Sequence, residues 1–229
     1  MKNATGKLEE VFLDGSARIA CPPEMIPAPG QYLLAHAHGS DSPLPVPLFS
    51  SVTHPQNGFR SAPEIPPLWK PGDTLHLRGP IGRGFSIPAS ARKITLIAFD
   101  TLPFRLLGLI GHALNQSAEV TLVCDEQMEN LPEVVEIQPL KGFADAYQWS
   151  DYTAIDVNRE NIFQLKERLA GMEQVRSQRE AQVLLRAPML CGGIAECGTC
   201  ALSLKNEWKQ ICKEGPVFPL KELMYKPLA

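Results

Sequence analysis

Between residues 92 and 186 the apolar positions fall into two alternating kinds of run. Residues 94–99 (ITLIAF), 119–124 (EVTLVC), 134–137, 152–157 and 181–185 are short, nearly continuous apolar stretches of strand length. Between them stand helical patterns. Residues 103–116 place Leu106, Leu107, Ile110 and Leu114 on one face behind Pro103, which suits a first turn. Residues 161–169 do the same with Ile162, Leu165 and Leu169, and Gly171 marks the stop. Strands alternating with helices predict a parallel sheet in an α/β layer. The connection 138–151 falls short of a convincing helix, so the layer is expected to be trimmed there.

The N-terminal third has a different rhythm. Residues 9–19 alternate loosely about the turn Asp14-Gly15, which predicts a hairpin. Pro29-Gly30 and Pro71-Gly72 each precede a strand-like run, YLLA and TLHLR. Many of the 21 prolines crowd residues 22–80, for example Pro22, Pro23, Pro27, Pro29, Pro43, Pro45 and Pro47. Proline is excluded from helix interiors and central strands, so this third is expected to hold short strands and no helix beyond a turn. A small antiparallel β-barrel fits the pattern. The loop Gly79-Pro80-Ile81-Gly82-Arg83-Gly84-Phe85 reads as a connector between domains.

Composition narrows the classes of function. The chain has 229 residues, 44% hydrophobic and 21% charged, which is enough for two modest domains. A net charge of −3 gives no footprint for nucleic acid or an anionic membrane. No apolar run approaches membrane-spanning length, and MKNATGKLEEV lacks the apolar core of a signal peptide. A cytoplasmic location is the expectation.

The chemistry concentrates in Cys191-Gly192-Gly193-Ile194-Ala195-Glu196-Cys197-Gly198-Thr199-Cys200, followed by Cys212, a C-x5-C-x2-C-x11-C spacing. Glycine lets such a loop fold back with positive φ, so that its N–H groups can point at cluster sulfurs. The spacing is the plant-type [2Fe–2S] pattern C-x4-C-x2-C…C with one extra residue in the first gap. Zinc is the main alternative, but it favours two tight cysteine pairs or added histidines. Only Cys197 and Cys200 form a tight pair, and the last of the five histidines is His112. Structural or unligated thiols are the remaining alternative. Cys21 and Cys124 stand apart and read as small buried hydrophobes.

PGQYLLA, KPGDTLHLRGPIGRGF, the α/β segment and CGGIAECGTC, in that order, resemble the electron-transfer subunit of class 1B dihydroorotate dehydrogenase, of the ferredoxin-reductase superfamily. The ending C-x-x-G-P-V-F at Cys212 resembles that family too. The resemblance implies an α/β plus all-β protein: a flavin-binding-type β-barrel (1–90), a nicotinamide-binding-type parallel α/β domain (91–186) and a C-terminal iron–sulfur loop (187–229). It also implies FAD between the domains, a [2Fe–2S] cluster on Cys191, Cys197, Cys200 and Cys212, and a catalytic flavoprotein partner in a hetero-oligomer.

The departures from the family pattern are specific. Phe49 and Ser50 match its flavin-contacting strand, but Pro47 or Val46 stands where the family has an arginine for the flavin phosphate. Residues 60–67 (RSAPEIPP) replace a helix N-terminus over the pyrophosphate, which makes FAD binding doubtful. The Gly-Gly-Gly-Ile-Gly turn is replaced by Ala98-Phe99-Asp100-Thr101-Leu102-Pro103, with Asp100 expected to repel phosphate. Ile155-Asp156-Val157-Asn158 replaces the Cys-Gly-Pro beside the nicotinamide. Weak or no NAD(P)H binding is expected. The leading expectation is an iron–sulfur electron-transfer subunit relaying electrons to a flavoprotein. The alternatives are a non-catalytic assembly or regulatory subunit with a structural metal, and a competent NAD(P)H reductase with an unusual site.

Overall fold

The computed structural model describes residues 2–54, 57–128, 130–170, 180–189, 193–204 and 207–224. Six antiparallel strands, β1 (Lys2–Val11), β2 (Ala17–Ala20), β3 (Tyr32–Ala37), β4 (Val46–His54), β5 (Gly58–Ser61) and β6 (Thr74–Ile81), close into a barrel in the order β1-β2-β5-β4-β3-β6. Closure leaves no unpaired edge. The expected hairpin is β1–β2, with Ser16 N–H and Oγ donating to Asp14 Oδ1 in its turn. Among the described residues of this third the only helical piece is the single turn Pro23–Met25.

Strand β3 shows how the barrel meets the rest. Tyr32, Leu33, Leu34 and Ala35 are all buried, on both faces. Leu33 and Ala35 join Leu8, Ile19, Leu48, Phe59 and Leu75 inside the barrel. Tyr32 and Leu34 face the other way and pack with Phe49, Ala62 and Ile81 into a core shared with the α/β layer. The continuous apolar run YLLA is therefore a strand covered on two sides.

The α/β layer has the strands β7 (Lys93–Ala98), β8 (Glu119–Val123), β9 (Val135–Gln138), β10 (Tyr152–Asn158) and β11 (Glu180–Arg186), all mutually parallel. Helix α1 (Gly108–Asn115) covers one face, where Leu106, Leu109, Ile110 and Ala113 meet Ile94, Leu96 and Leu122. Each of the large side chains there contributes roughly 1.5–3 kcal/mol by burial. Helices α2 (Phe143–Trp149) and α3 (Ile162–Ala170) cover the other face.

Two expectations are corrected. The connection 138–151 contains a 3-10 turn, Leu140–Gly142, and then α2. Its Phe143, Ala146 and Tyr147 sit at helical spacing and are buried, and Ala146 O accepts from Thr95 Oγ1 at 2.9 Å. In the tail, the sequence pattern of residues 201–204 (ALSL) reads as a strand and 205–210 as its turn, but β12 (Ala201–Leu204) pairs with a second strand, β13 (Glu207–Gln210); residues 205 and 206 lie outside the described residues. The tail then forms α4 (Ile211–Glu214), β14 (Val217–Pro219) and α5 (Leu220–Leu223). β14 pairs antiparallel with β11, which gives the sheet order β14-β11-β10-β7-β8-β9.

Candidate metal centre and the adjoining cleft

The cysteine-bearing tail leaves the sheet at the end of β11 and returns to pair beside that same strand as β14. Both ends of the excursion are thus pinned to one sheet edge. From Gly193 onward the loop lies on the barrel: a Cβ at Gly193 would stand 3.4 Å from the Tyr32 hydroxyl and 3.4 Å from Ile81. Gly193, Ala195 and Gly198 all have positive φ, at 74°, 63° and 70°. Ala195 is not glycine, and its strained backbone is held by Gln210, whose side-chain N–H donates to Ala195 O at 2.8 Å. Arg159 donates to Thr199 O at 2.6 Å and ties the loop to the 3-10 turn that leads into α3.

Cys200 and Cys212 are brought together. Both are buried, and the Cys212 N–H donates to Cys200 Sγ at 3.4 Å. Ile211 N–H donates to Cys200 O at 3.1 Å, which fixes the start of α4 against the loop. Cys197 is on the same loop and exposed. Cys191 lies outside the described residues. Among the described residues no three Cys, His, Asp or Glu side chains stand together in a metal-holding arrangement. The donor set nonetheless fits an iron–sulfur group: thiols on a loop of left-handed turns, with a backbone N–H aimed at a sulfur. The remaining two cysteines are elsewhere. Burial and the nearby Glu24 push the Cys21 thiol up to about 11. Burial and the carboxylates of Asp125 and Glu126 likewise raise Cys124, against a hydrogen bond to the Glu126 carbonyl.

The barrel reaches the tail through two contacts that sequence reasoning missed. Tyr32 is fully buried, and its hydroxyl donates to Cys212 O at 3.4 Å. The loop after β6, expected to be a plain connector, docks on the tail: Arg83 N–H donates to Gly215 O at 2.6 Å. Gly82 has φ +82°, and a Cβ there would meet Pro216 Cδ at 2.5 Å. Glycines at 82 and 84 were the available signal, since close backbone approach is a standing reason for glycine.

Beside the tail, between barrel and sheet, is a cleft of about 390 Å³ lined by Pro47, Phe49, Pro63, Arg105, Arg186 and Met189 among others. Phe49 lines it and packs against Tyr32, ring centroids 5.5 Å apart. Ser50 is buried, and its hydroxyl is committed to Pro27 O at 3.0 Å. Behind Arg105 and Arg186, which line the cleft, is Asp156, fully buried near the end of β10. Its carboxylate accepts from Arg186 Nε at 2.7 Å and from Arg105 Nη1 at 3.3 Å. Burial pushes the Asp156 carboxyl up, opposed by those two guanidiniums. Arg186 also pairs with Asp100, whose other oxygen accepts from Asn158 N–H at 2.9 Å and Asn161 Nδ2 at 2.6 Å. Asp100, expected from the sequence to repel phosphate, is ion-paired with Arg186.

Position gives this network its meaning. In open α/β sheets ligands bind outside the strand carboxyl ends where the strand order reverses. Here the chain moves outward from β7 to β8 on one side and returns to β10 on the other, so that point lies between β7 and β10. Asp100 follows β7, and Asp156 and Asn158 end β10. Asn158 N–H donates to Asp100 across that point, and Arg186 joins Asp100 to Asp156.

Comparison with known proteins agrees with this architecture. Residues 187–224 match the iron–sulfur cluster binding domain of dihydroorotate dehydrogenase B. The chain is 26% identical over 188 residues to the electron transfer subunit of dihydroorotate dehydrogenase B (NAD(+)) of Desulforamulus reducens, covering 71% of this chain and 70% of that protein. It is 26% identical over 195 residues to the sulfhydrogenase 1 subunit gamma of Pyrococcus furiosus, covering 69% of this chain and 65% of that one. Among solved structures, an NADH-dependent reduced ferredoxin-NADP oxidoreductase superposes with a TM-score of 0.75 at 17% identity, over 96% of this chain and 89% of that chain. The ferredoxin reductase of carbazole 1,9a-dioxygenase gives 0.60 at 13% identity, over 80% and 68%. The fold is that of the ferredoxin reductases, and the resemblance read from the motifs holds. No helix among the described residues is long and apolar enough to cross a membrane.

Proposed function

We propose that this chain, a ferredoxin-reductase fold ending in a dihydroorotate-dehydrogenase-B-type iron–sulfur segment, is the electron-transfer subunit of a larger oxidoreductase. Cys191, Cys197, Cys200 and Cys212 hold a [2Fe–2S] cluster. The cluster, when bound, supplies one-electron transfer at a potential set by its surroundings. The chain's own residues do the holding. Gly193, Ala195 and Gly198 turn the loop, the Cys212 N–H supports the Cys200 sulfur, and Tyr32 fixes the Cys212 carbonyl on the barrel. The Cys212 N–H donating to Cys200 Sγ is the observation that carries this reading, because it joins the last ligand to the cysteine loop across an 11-residue gap.

Residues 1–90 serve as a flavin-binding-type barrel, 91–186 as a nicotinamide-type layer without a nucleotide site, and 187–229 as the cluster segment. The electron partner is a catalytic flavoprotein subunit. Exposed Cys197 supports cluster access from the partner side. A cytoplasmic setting suits thiols that must stay reduced to bind metal.

The test is anaerobic purification followed by iron, sulfide and zinc analysis. The reading expects a brown protein with about two irons and two sulfides per chain, bleached by dithionite. Each of the four Cys→Ser variants should lose most of that iron. A colourless protein carrying zinc would transfer support to a structural-metal, assembly role. Co-purification with a flavoprotein that accepts electrons from the reduced chain tests the partner.

A further inference from the structure

We propose that Arg105 is a built-in plug that closes the barrel–sheet cleft to flavin and nicotinamide rings. The proposal rests on the fold reading above and not on the cluster. Fold relatives of this kind are reductases, so the cleft is where a flat redox ring would be sought. Here the guanidinium of Arg105 stands over the Phe49 ring, 5.6 Å from its centroid, on the cleft's barrel wall. Three contacts hold it: Asp156 Oδ2 at 3.3 Å, Pro63 O at 3.4 Å and Thr101 Oγ1 at 3.5 Å. Pro63 belongs to the barrel side and Asp156 to the sheet, so Arg105 spans the cleft. A ring lying on Phe49 would have to displace it.

The charges reinforce the block. Arg105 and Arg186 are matched by Asp100 and Asp156, so neither cation among the described residues lining the cleft is left over for a pyrophosphate. Glu64 adds a further acid to the lining. The wall around Phe49 is apolar, with Pro47, Pro63, Pro188 and Met189, and Glu64, Asn158 and Arg186 supply the polar part of the lining. Removing the guanidinium therefore uncovers the Phe49 ring and enlarges a cleft that already measures about 390 Å³. Arg105 Nε, buried and without a partner among the described residues, shows that this side chain is held by its fork and not along its length.

The experiment measures riboflavin and FAD binding by quenching of flavin fluorescence, for the wild-type chain and for Arg105→Ala and Arg105→Gln. Riboflavin lacks phosphates and reports the ring slot alone. The expected result is a gain: both variants bind riboflavin about tenfold or more tightly than wild type, a difference of about 1.4 kcal/mol. FAD should gain no more than riboflavin. Circular dichroism and iron content are read on the same samples, so a misfolded variant is recognised and the cluster assignment is judged separately. If Arg105→Ala fails to fold, Arg105→Gln decides. Equal riboflavin affinity in wild type and a folded variant overturns the plug, as does stoichiometric flavin in the wild-type chain as purified.

Discussion

Replacing Asp156 with alanine tests the ion network at the sheet's carboxyl end. The carboxylate has no solvent exposure, and the two guanidiniums it faces are only 16% and 18% exposed. Removing it takes away the carboxylate that two mostly buried guanidiniums share. Breaking a buried pair in this way costs about 3–5 kcal/mol, because the partner's desolvation is no longer compensated. Arg186 keeps Asp100 as a partner, and Arg105 keeps Pro63 O, Thr101 and the Phe49 ring, so the lower part of that range applies. A loss of about 3 kcal/mol is a large share of the 5–15 kcal/mol that holds a typical protein folded. Urea unfolding followed by far-UV circular dichroism reads it. With a slope near 2 kcal/mol/M, the midpoint should fall by about 1.5 M at unchanged slope. Exchanging Asp156, Arg105 and Arg186 together for apolar residues of similar volume should cost much less, since no charge is left unpaired. An Asp156→Ala midpoint within about 0.5 M of wild type, equivalent to 1 kcal/mol or less, would refute the network's role.

Four further variants have expected outcomes. Gly82→Ala drives a Cβ to within 2.5 Å of Pro216 at a φ of +82° and should destabilise by about 1–3 kcal/mol and speed iron loss, whereas Gly111→Ala, in α1 with open space around it, should stabilise by about 0.5–1 kcal/mol; both are read by thermal melts. Tyr32→Phe keeps the ring and deletes the donor to Cys212 O, so it should cost about 0.5–1.5 kcal/mol and hasten iron release to a chelator, with the melt otherwise two-state. At Asp14, burial pushes the carboxyl up, but hydrogen bonds from Ser16 and the Arg60 guanidinium outweigh it and hold it below the usual range. A depressed carboxyl gives stability that is present above its unfolded value near 3.9 and is lost as pH falls through the lower folded value. Asp14→Asn should therefore cost up to about 1 kcal/mol at neutral pH and nothing once wild-type Asp14 is protonated, as read by urea midpoints across pH 2–7.

The sequence by itself determined the parts whose signals are local. Proline crowding and Pro-Gly turns fixed strands and no helix beyond a turn in the first third, since proline breaks helix interiors; the length of β1 and β4, at ten and nine residues, did not follow from it. Apolar runs alternating with helical stripes fixed the parallel sheet. The cysteine spacing fixed the chemistry of the tail, because four thiols so close in sequence have few other uses. Helix α2 was legible too, in the spacing of Phe143, Ala146 and Tyr147, but its short length between Gly142 and Ser150 hid it.

Only the tertiary structure decided how these parts meet. Arg186 and Asp100 are 86 positions apart, and each alone looks like an ordinary surface charge. Tyr32 and Cys212 are 180 positions apart, and nothing in YLLA marks a hydroxyl reserved for a carbonyl in the tail. β14 is three residues long and becomes a strand because β11 offers it an edge. Such contacts depend on which groups the closed barrel and the sheet bring within a few ångströms. That is a property of the assembled chain: burial makes an unpaired charge or hydroxyl costly, and the fold selects the partner that removes the cost.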